Sequence, residues 1–371
     1  MSTSSSLNIE KPTLVINKKR IIANISRMEE KSWKSDVRFR PHFKTHQSAT
    51  IGEWFRDFGI RTITVSSVDM AKYFAGYRWN DIMIAFPINV RQIDGINELA
   101  KAISLHLLVE EFEVAKNLDK LLYYPVQIWI KIDVGYNRTG IDYTDTEAVI
   151  RAAETIKGSK RMTLNGILTH AGHSYNLRSR DSVTQLYAEQ VNRMNFVKSR
   201  LVNAGFSPIE ISIGDTPCCS VVERFDGIDE VRPGNFVFYD ATQLAIGSCT
   251  EDDIALACAC PVVAKHKSRL EIILYGGAVH LSKDVLIDSN GTKVYGRIAV
   301  PVDNGWGKIL QDLYVSALSQ EHGIVKTDAE TFGRISVGDI MYVIPVHSCL
   351  TADLHRRYIT TEGDIVESGK Y

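Results

Sequence analysis

The 371-residue sequence has no stretch able to cross a membrane. Its longest apolar run, 254–264, falls far short of the ~20 residues that a spanning helix needs. It has no excess of charge of either sign, with 43 Lys and Arg against 44 Asp and Glu and a net charge of -1, so its electrostatics point to neither nucleic acid nor an anionic membrane as partner. Its N-terminus lacks the apolar core of a signal peptide, and the serine-rich residues 1–12 read as a disordered lead-in to a cytoplasmic protein. Six cysteines (Cys218, Cys219, Cys249, Cys258, Cys260 and Cys349) lack the spacing of a secreted disulfide framework and read as reduced and mostly buried. No internal repeat is present. What remains is an ordinary globular composition, 44% hydrophobic and 23% charged, whose partner is a small molecule.

At this length a single simple core is excluded, and the texture of the chain divides it near residue 245. Over 13–245, eight short β-rich runs alternate with longer amphipathic stretches: 37–44, 62–68, 81–86, 104–110, 126–134, 164–171, 210–216 and 230–238. Helical spacing of apolar positions marks 18–34, 90–102, 145–157 and 180–204. Eight strands with crossover helices predict an α/β fold, a (β/α)8 TIM-type barrel. Over 246–371 the runs 254–264, 268–275, 293–302, 314–318, 323–326 and 339–346 follow one another without long helical patterns, which predicts a C-terminal antiparallel β domain.

A parallel barrel presents its chemistry where strands end. The first run ends in Arg40-Pro41-His42-Phe43-Lys44-Thr45-His46, which makes Lys44 a candidate Schiff-base lysine. A lone lysine is more often a solvated surface charge, so the other strand ends decide. They bring glycine together with polar groups: Arg138 in 131–140, His170 and Tyr175 in 169–175, Thr216 in 212–217, and Gly234 with Asn235 in 231–235. Small residues and a hydroxyl at 214–216, 234 and 235 suit a phosphate, Arg138 can reach a ring oxygen, and His170 can pack on a ring face. Taken singly, each also reads as a βα turn, a rim salt bridge or a core histidine.

The ordered set Pro-His-x-Lys-Thr-His, Asp-x-Gly-x-x-Arg-x-Gly, His-x-Gly-His-x-Tyr, Gly-x-Thr-Pro, Arg-Pro-Gly-Asn and a late His-x-Cys resembles the D-serine dehydratase and D-threonine aldolase family, over about residues 12–360. The resemblance implies a pyridoxal-phosphate enzyme with an alanine-racemase-like barrel. It implies Lys44 as the cofactor-bearing lysine, Arg138 on a cofactor oxygen, His170 beside the ring and Tyr175 in the cofactor site. Thr216, Gly234 and Asn235 fall around the phosphate. Arg232 matches the place where alanine racemases put an arginine on the pyridine nitrogen, and Asp215 is a departure, because a carboxylate beside a phosphate is repulsive unless it points away. The resemblance also implies D-configured substrates and a homodimer in which the β domain of one chain covers the barrel mouth of the other.

The run 341–346 leads into His347-Ser348-Cys349. On an extended segment residues i and i+2 share a face, so imidazole and thiolate can converge on one divalent metal, with other positions left open. The resemblance places the metal ligands at this motif. The thiolate favours zinc over manganese or magnesium. A Lewis acid beside the cofactor serves either β-elimination of water from a D-3-hydroxy amino acid, giving a 2-oxo acid and ammonia, or retro-aldol cleavage to glycine and an aldehyde. The soft ligand tilts the reading to a D-serine dehydratase type of lyase over a D-threonine aldolase type. An amino-acid racemase would need a second base such as Tyr314 or Tyr342, and a non-catalytic pyridoxal-phosphate carrier would have no use for the C-terminal domain. His322 is a further candidate or a turn residue, and Cys258-Ala259-Cys260, in an apolar run, reads as buried structural thiols.

Overall fold

The computed structural model describes residues 7–303 and 305–369, and every count below refers to these. Residues 1–6 of the expected lead-in lie outside them, and 7–12 hold no helix or strand. Two compact units divide the described chain. One comprises 26–44 and 52–234, the other 7–25, 45–51 and 235–369.

The first unit is built on eight parallel strands in the order Arg38–Phe39, Glu230–Val231, Glu210–Ile213, Met162–Leu168, Val126–Asp133, Ser104–Val109, Asp81–Pro87 and Ile63–Val65. All eight β-rich runs therefore become strands, the first and last shortened to two residues each. At the open edge His42 and Thr64 form a single parallel bridge, with Phe43 N–H donating to Thr64 O at 2.8 Å and Thr64 N–H to Pro41 O at 2.9 Å. Helices Val68–Gly76, Ile93–Ala102, Phe112–Leu121, Thr146–Lys157 and Arg180–Asn203 run between successive strands. Three of the five start at side chains that take up unpaired N–H groups: Ser67 accepts from Met70 N, Asp145 from Ala148 N and Ser179 from Ser182 N.

The strand Val126–Asp133 shows how the sequence fixes the two faces. Ile128, Ile130 and Ile132 alternate on one side, all fully buried, while Trp129 joins Met83, Leu108 and Leu168 on the other. Two residues beyond Trp129 on that same face comes Lys131, also buried. Nearer the strand starts lies a buried charged network. Glu230 accepts from Arg40 Nε and Arg38 Nε, each at 2.7 Å, and from Ser212 Oγ at 2.7 Å. Arg40 also pairs with Asp81, whose Oδ1 is 3.2 Å from His106 Nε2, and Trp129 Nε1–H donates to His106 Nδ1 at 3.0 Å.

In the second unit Glu271–Tyr275 pairs with both His322–Lys326 and Leu256–His266, so six strands form a ring completed by Gly305–Leu318, Gly296–Val302 and Ile340–Pro345. Beyond Leu256–His266 the sheet continues through Thr13–Ile16, Arg357–Thr360 and Ile365–Glu367. Thr13–Ile16, placed by chain order in the 13–245 barrel segment, belongs to this sheet instead: it runs antiparallel to 256–259 and parallel to Ile359 and Thr360. Leu14, Val15 and Ile16 are fully buried there, and apolar β-branched residues carry no mark of which sheet will take them. Among the described residues no helix is long and apolar enough to cross a membrane.

Candidate active site

Six of the nine sequence-nominated residues lie in the parallel-sheet unit, and the charges of two of them, Lys44 and Arg138, reach a third, His170. Lys44 lies in the turn after the first strand; its side chain is exposed and its ammonium has no hydrogen bond or ion pair among the described residues. Arg138 is exposed on a loop whose shape is set locally. Asp133 Oδ1 accepts from Gly135 N at 2.8 Å and Tyr136 N at 2.9 Å, and Gly140 N donates to Glu110 Oε2 at 2.6 Å. Gly135 and Gly140 take φ of 107° and 112°, which a side chain would resist. The Arg138 guanidinium stands 4.9 Å from the Tyr136 ring, and that ring meets His170 edge-on with centroids 6.3 Å apart.

His170 is the point on which these groups converge. Its Nδ1–H donates to Gly214 O, leaving Nε2 as the acceptor. Burial holds its imidazole well below the ordinary range, and the positive charges of Lys131, Lys44 and Arg138 push the same way against the Gly214 bond. The ring is therefore neutral at physiological pH. Tyr175 follows, half-buried, in the Gly172–Asn176 turn.

Thr216 opens the Thr216–Val221 helix, 1% exposed, with its hydroxyl lacking any partner. The neighbouring Asp215 is turned away as that helix's cap: Oδ1 accepts from Cys218 N at 2.9 Å and Oδ2 from Gln190 Nε2 at 3.5 Å. Burial raises its carboxyl pKa, which lessens the repulsion that its position suggested. At the other end of the helix Lys31 Nζ donates to the carbonyls of Cys219, Ser220 and Val222 at 2.9, 3.0 and 2.6 Å. Arg232 is buried and fixed by Nε–H to Ser212 Oγ at 2.7 Å and Nη2–H to Thr169 O at 2.7 Å. Burial brings it down to about 10.

Lys131 was not nominated as a site residue. Burial, then the charges of Arg232 and Arg138, lower its amine to about 7. The signal was available, since Lys131 interrupts an apolar strand at a position that alternation places on the Trp129 face.

The other unit holds the late pair. His347 is not on an extended segment with Cys349, as the i, i+2 argument assumed. The strand stops at Pro345, His347 caps the helix Ser348–Leu354, and Cys349 lies in its first turn. The two side chains still meet: His347, at the N-cap position without a side-chain bond to the helix backbone, is hydrogen-bonded to Cys349. Asp240 Oδ2 lies 3.4 Å from His347 Nδ1 and accepts from Ser348 N at 2.9 Å and Asn235 Nδ2 at 2.7 Å. Burial works against the His347 imidazolium, but the Cys349 sulfur and the Asp240 carboxylate hold it well above the ordinary histidine range. Cys349 Sγ is 3.3 Å from Thr45 Oγ1 and 3.6 Å from Asn235 Nδ2. Asn235, nominated for a phosphate, thus spends its amide N–H groups on Asp240, Ser348 and this thiol. Asp240 was missed; Asp240-Ala241-Thr242-Gln243 is a helix-start pattern, and Asp240 Oδ1 caps Gln243 N at 2.9 Å. No group of three or more His, Cys, Asp and Glu side chains is arranged to hold a metal among the described residues.

The family described as alanine racemase, N-terminal domain, matches residues 16–242, and a putative serine dehydratase domain matches 255–361. The chain is 28% identical over 360 residues to a D-threo-3-hydroxyaspartate dehydratase of Delftia sp. (strain HT23), covering 93% of this chain and 92% of that one. It is 26% identical to a D-serine dehydratase of Dictyostelium discoideum, covering 98% and 96%. The solved Delftia structure superposes with a TM-score of 0.89 at 26% identity over 98% and 99% of the two chains. A cysteine-to-alanine mutant of a D-threo-3-hydroxyaspartate dehydratase, solved in a metal-free form, superposes at 0.91 with 26% identity over 97% and 98%.

Proposed function

Because the chain belongs to the alanine racemase N-terminal domain family and continues into a putative serine dehydratase domain, we propose that it is a pyridoxal-phosphate and divalent-metal dependent lyase that removes water from D-3-hydroxy amino acids. The observation that carries this reading is the His347–Asp240 contact. A carboxylate on Nδ1 orients the imidazole, and a thiol lies beside it, so a histidine and a cysteine of the kind that ligate zinc stand together with an outer carboxylate in place. Relatives named for dehydration agree with it.

The residues of the parallel-sheet unit fit the cofactor. A buried hydroxyl without a partner at Thr216, an unpaired amine at Lys44 and a neutral His170 are what phosphate, aldehyde and ring require. Lys44, Arg138, His170, Tyr175, Thr216 and Gly234 would hold it, with Asn235 contributing its backbone. Bound, the cofactor supplies an electron sink for the Cα–H bond, and the metal a Lewis acid for the β-hydroxyl.

The chain's own side chains supply the rest. Lys44 Nζ takes the α-proton. His170, neutral and pinned by Gly214, presents an uncharged ring face and adds no positive charge to a site already holding Lys131, Arg138 and Arg232. Asp240 orients the His347 ring through Nδ1, so that a metal would take Nε2 in place of its proton. Zinc is the metal that suits Cys349 best. We read the parallel sheet as a closed (β/α)8 barrel with the His42–Thr64 bridge as its seam, and the protein as a homodimer, which sedimentation would test.

The deciding experiment offers D-serine, D-threonine and D-threo-3-hydroxyaspartate to protein supplied with pyridoxal phosphate and zinc. A 2-oxo acid with ammonia is the expected product. Glycine with an aldehyde would make it an aldolase, and the L-enantiomer alone would make it a racemase.

A further inference from the structure

Cys258 and Cys260 are inert structural thiols by their sequence context, but their surroundings are not those of inert thiols. Both are fully buried on the strand Leu256–His266. Being i and i+2, they share a face, and their sulfurs lie 3.6 Å apart. Leu14 and Val343 stand opposite Cys258, and Met341 opposite Cys260. Into this apolar setting one imidazole intrudes. His355, which ends the Ser348–Leu354 helix, is hydrogen-bonded to Cys258, and its Nε2–H donates to His280 O at 3.0 Å, leaving Nδ1 to receive the thiol proton. A base oriented by a backbone carbonyl against one of two touching thiols is a chemical arrangement, and no step of the lyase reaction uses it.

We propose that Cys258 and Cys260 are a reactive dithiol that small peroxides close into a reversible disulfide within the strand, with His355 as its acid–base partner. This rests on the geometry alone and not on the lyase reading. The hydrogen bond from Cys260, against burial, and then His355 bring the Cys258 thiol below the ordinary cysteine range, toward its thiolate. The groups facing it are Cys260 and His355. Behind His355 stand His280, with ring centroids 6.3 Å apart, and Glu321, whose carboxylate is 3.9 Å from His280 Nε2.

The steps balance. The Cys258 thiolate attacks a peroxide oxygen, an S–O bond forms as the O–O bond breaks, and the departing hydroxide takes the proton held by His355 and leaves as water. Cys260 then attacks the Cys258 sulfur, the S–S bond forms as S–O breaks, and the sulfenic hydroxyl leaves as a second water with the Cys260 proton. Two thiols lose two electrons and hydrogen peroxide gains them. Residues i and i+2 of a strand are about 6.4–6.8 Å apart at Cα, the upper edge of what a disulfide spans, so the bond is strained and readily reduced. Complete burial selects for a small oxidant.

The test treats the holoprotein with graded hydrogen peroxide, denatures and alkylates it, and sequences the peptide bearing both residues by tandem mass spectrometry. A loss of two hydrogens localised to Cys258 and Cys260, restored by dithiothreitol, is expected. In Cys260→Ser, Cys258 should stop at the sulfenic acid and give a dimedone adduct. In His355→Gln the pH of half-maximal oxidation should rise by more than one unit. Two alkylated thiols after peroxide, or sulfinic acid at either position without the crosslink, overturns the proposal. Should a variant fail to fold by circular dichroism, the wild-type mass result decides alone.

Discussion

Replacing Glu230 by Gln tests the account of the buried charges most directly. The Glu230 carboxylate has no solvent exposure and receives Arg40, Arg38 and Ser212. Burial pushes its pKa up, but the Arg40 and Arg38 guanidiniums outweigh it and hold the group at about 2, against 4.5 for a free glutamate. That difference, 4.5 − 2 = 2.5 pKa units, corresponds to about 3 kcal/mol of stability. Breaking a buried ion pair by removing one partner costs about 3–5 kcal/mol by a separate route, so the two agree in size. Because the folded pKa is depressed, this stability is fully present above pH 4.5 and is lost as pH falls toward 2. Urea unfolding followed by circular dichroism should show Glu230→Gln weaker by about 3 kcal/mol at pH 7, with the gap to wild type closing as the buffer approaches pH 3. Asp81 titrates in the same acid range, also held at about 2, and shares Arg40 with Glu230, so the same comparison in an Asp81→Asn background isolates the Glu230 contribution. A gap under about 0.5 kcal/mol at pH 7, or one that does not change with pH, would refute the reasoning.

Other outcomes follow from the site. Lys44→Ala should abolish turnover and the visible absorption of bound pyridoxal phosphate, while circular dichroism stays unchanged. Asp240→Asn should weaken metal retention by about 10–100-fold on dialysis against a chelator, measured by elemental analysis, because His347 loses the carboxylate that orients it. Lys31→Met removes three charge-assisted bonds from the end of the Thr216–Val221 helix and should raise the dissociation constant for pyridoxal phosphate about tenfold, read by fluorescence titration. An unchanged constant would separate Lys31 from the phosphate site.

What the sequence determined by itself is local and periodic. Alternation and β-branching located all eight parallel strands, because a strand buried on both faces must be apolar along its length. The 3.6-residue period located the helices Lys18–Lys34, Ile93–Ala102, Thr146–Lys157 and Arg180–Asn203. It passed over Ala49–Arg56, Val68–Gly76 and Phe112–Leu121, which are too short to display the period for long. The candidate site was legible as strand-end motifs, since a loop that must turn tightly and present a polar group requires glycine beside it.

Tertiary structure decided whatever depends on partners distant in the chain. Thr13–Ile16 is as apolar as the strands of the parallel sheet, and only its register with 256–259 assigns it to the antiparallel sheet. Residues 38, 40, 81, 106, 210 and 230 form one charged network that no spacing announces. The segment 347–349 reads equally well as strand or helix start, and Asp240, more than a hundred positions away, makes it a helix by accepting from Ser348 N. Asp215 looked hostile to a phosphate until the Thr216–Val221 helix took its carboxylate as a cap. Hydrogen bonds and burial between remote residues fix the side-chain directions, and a linear pattern carries only the propensities from which those directions are chosen.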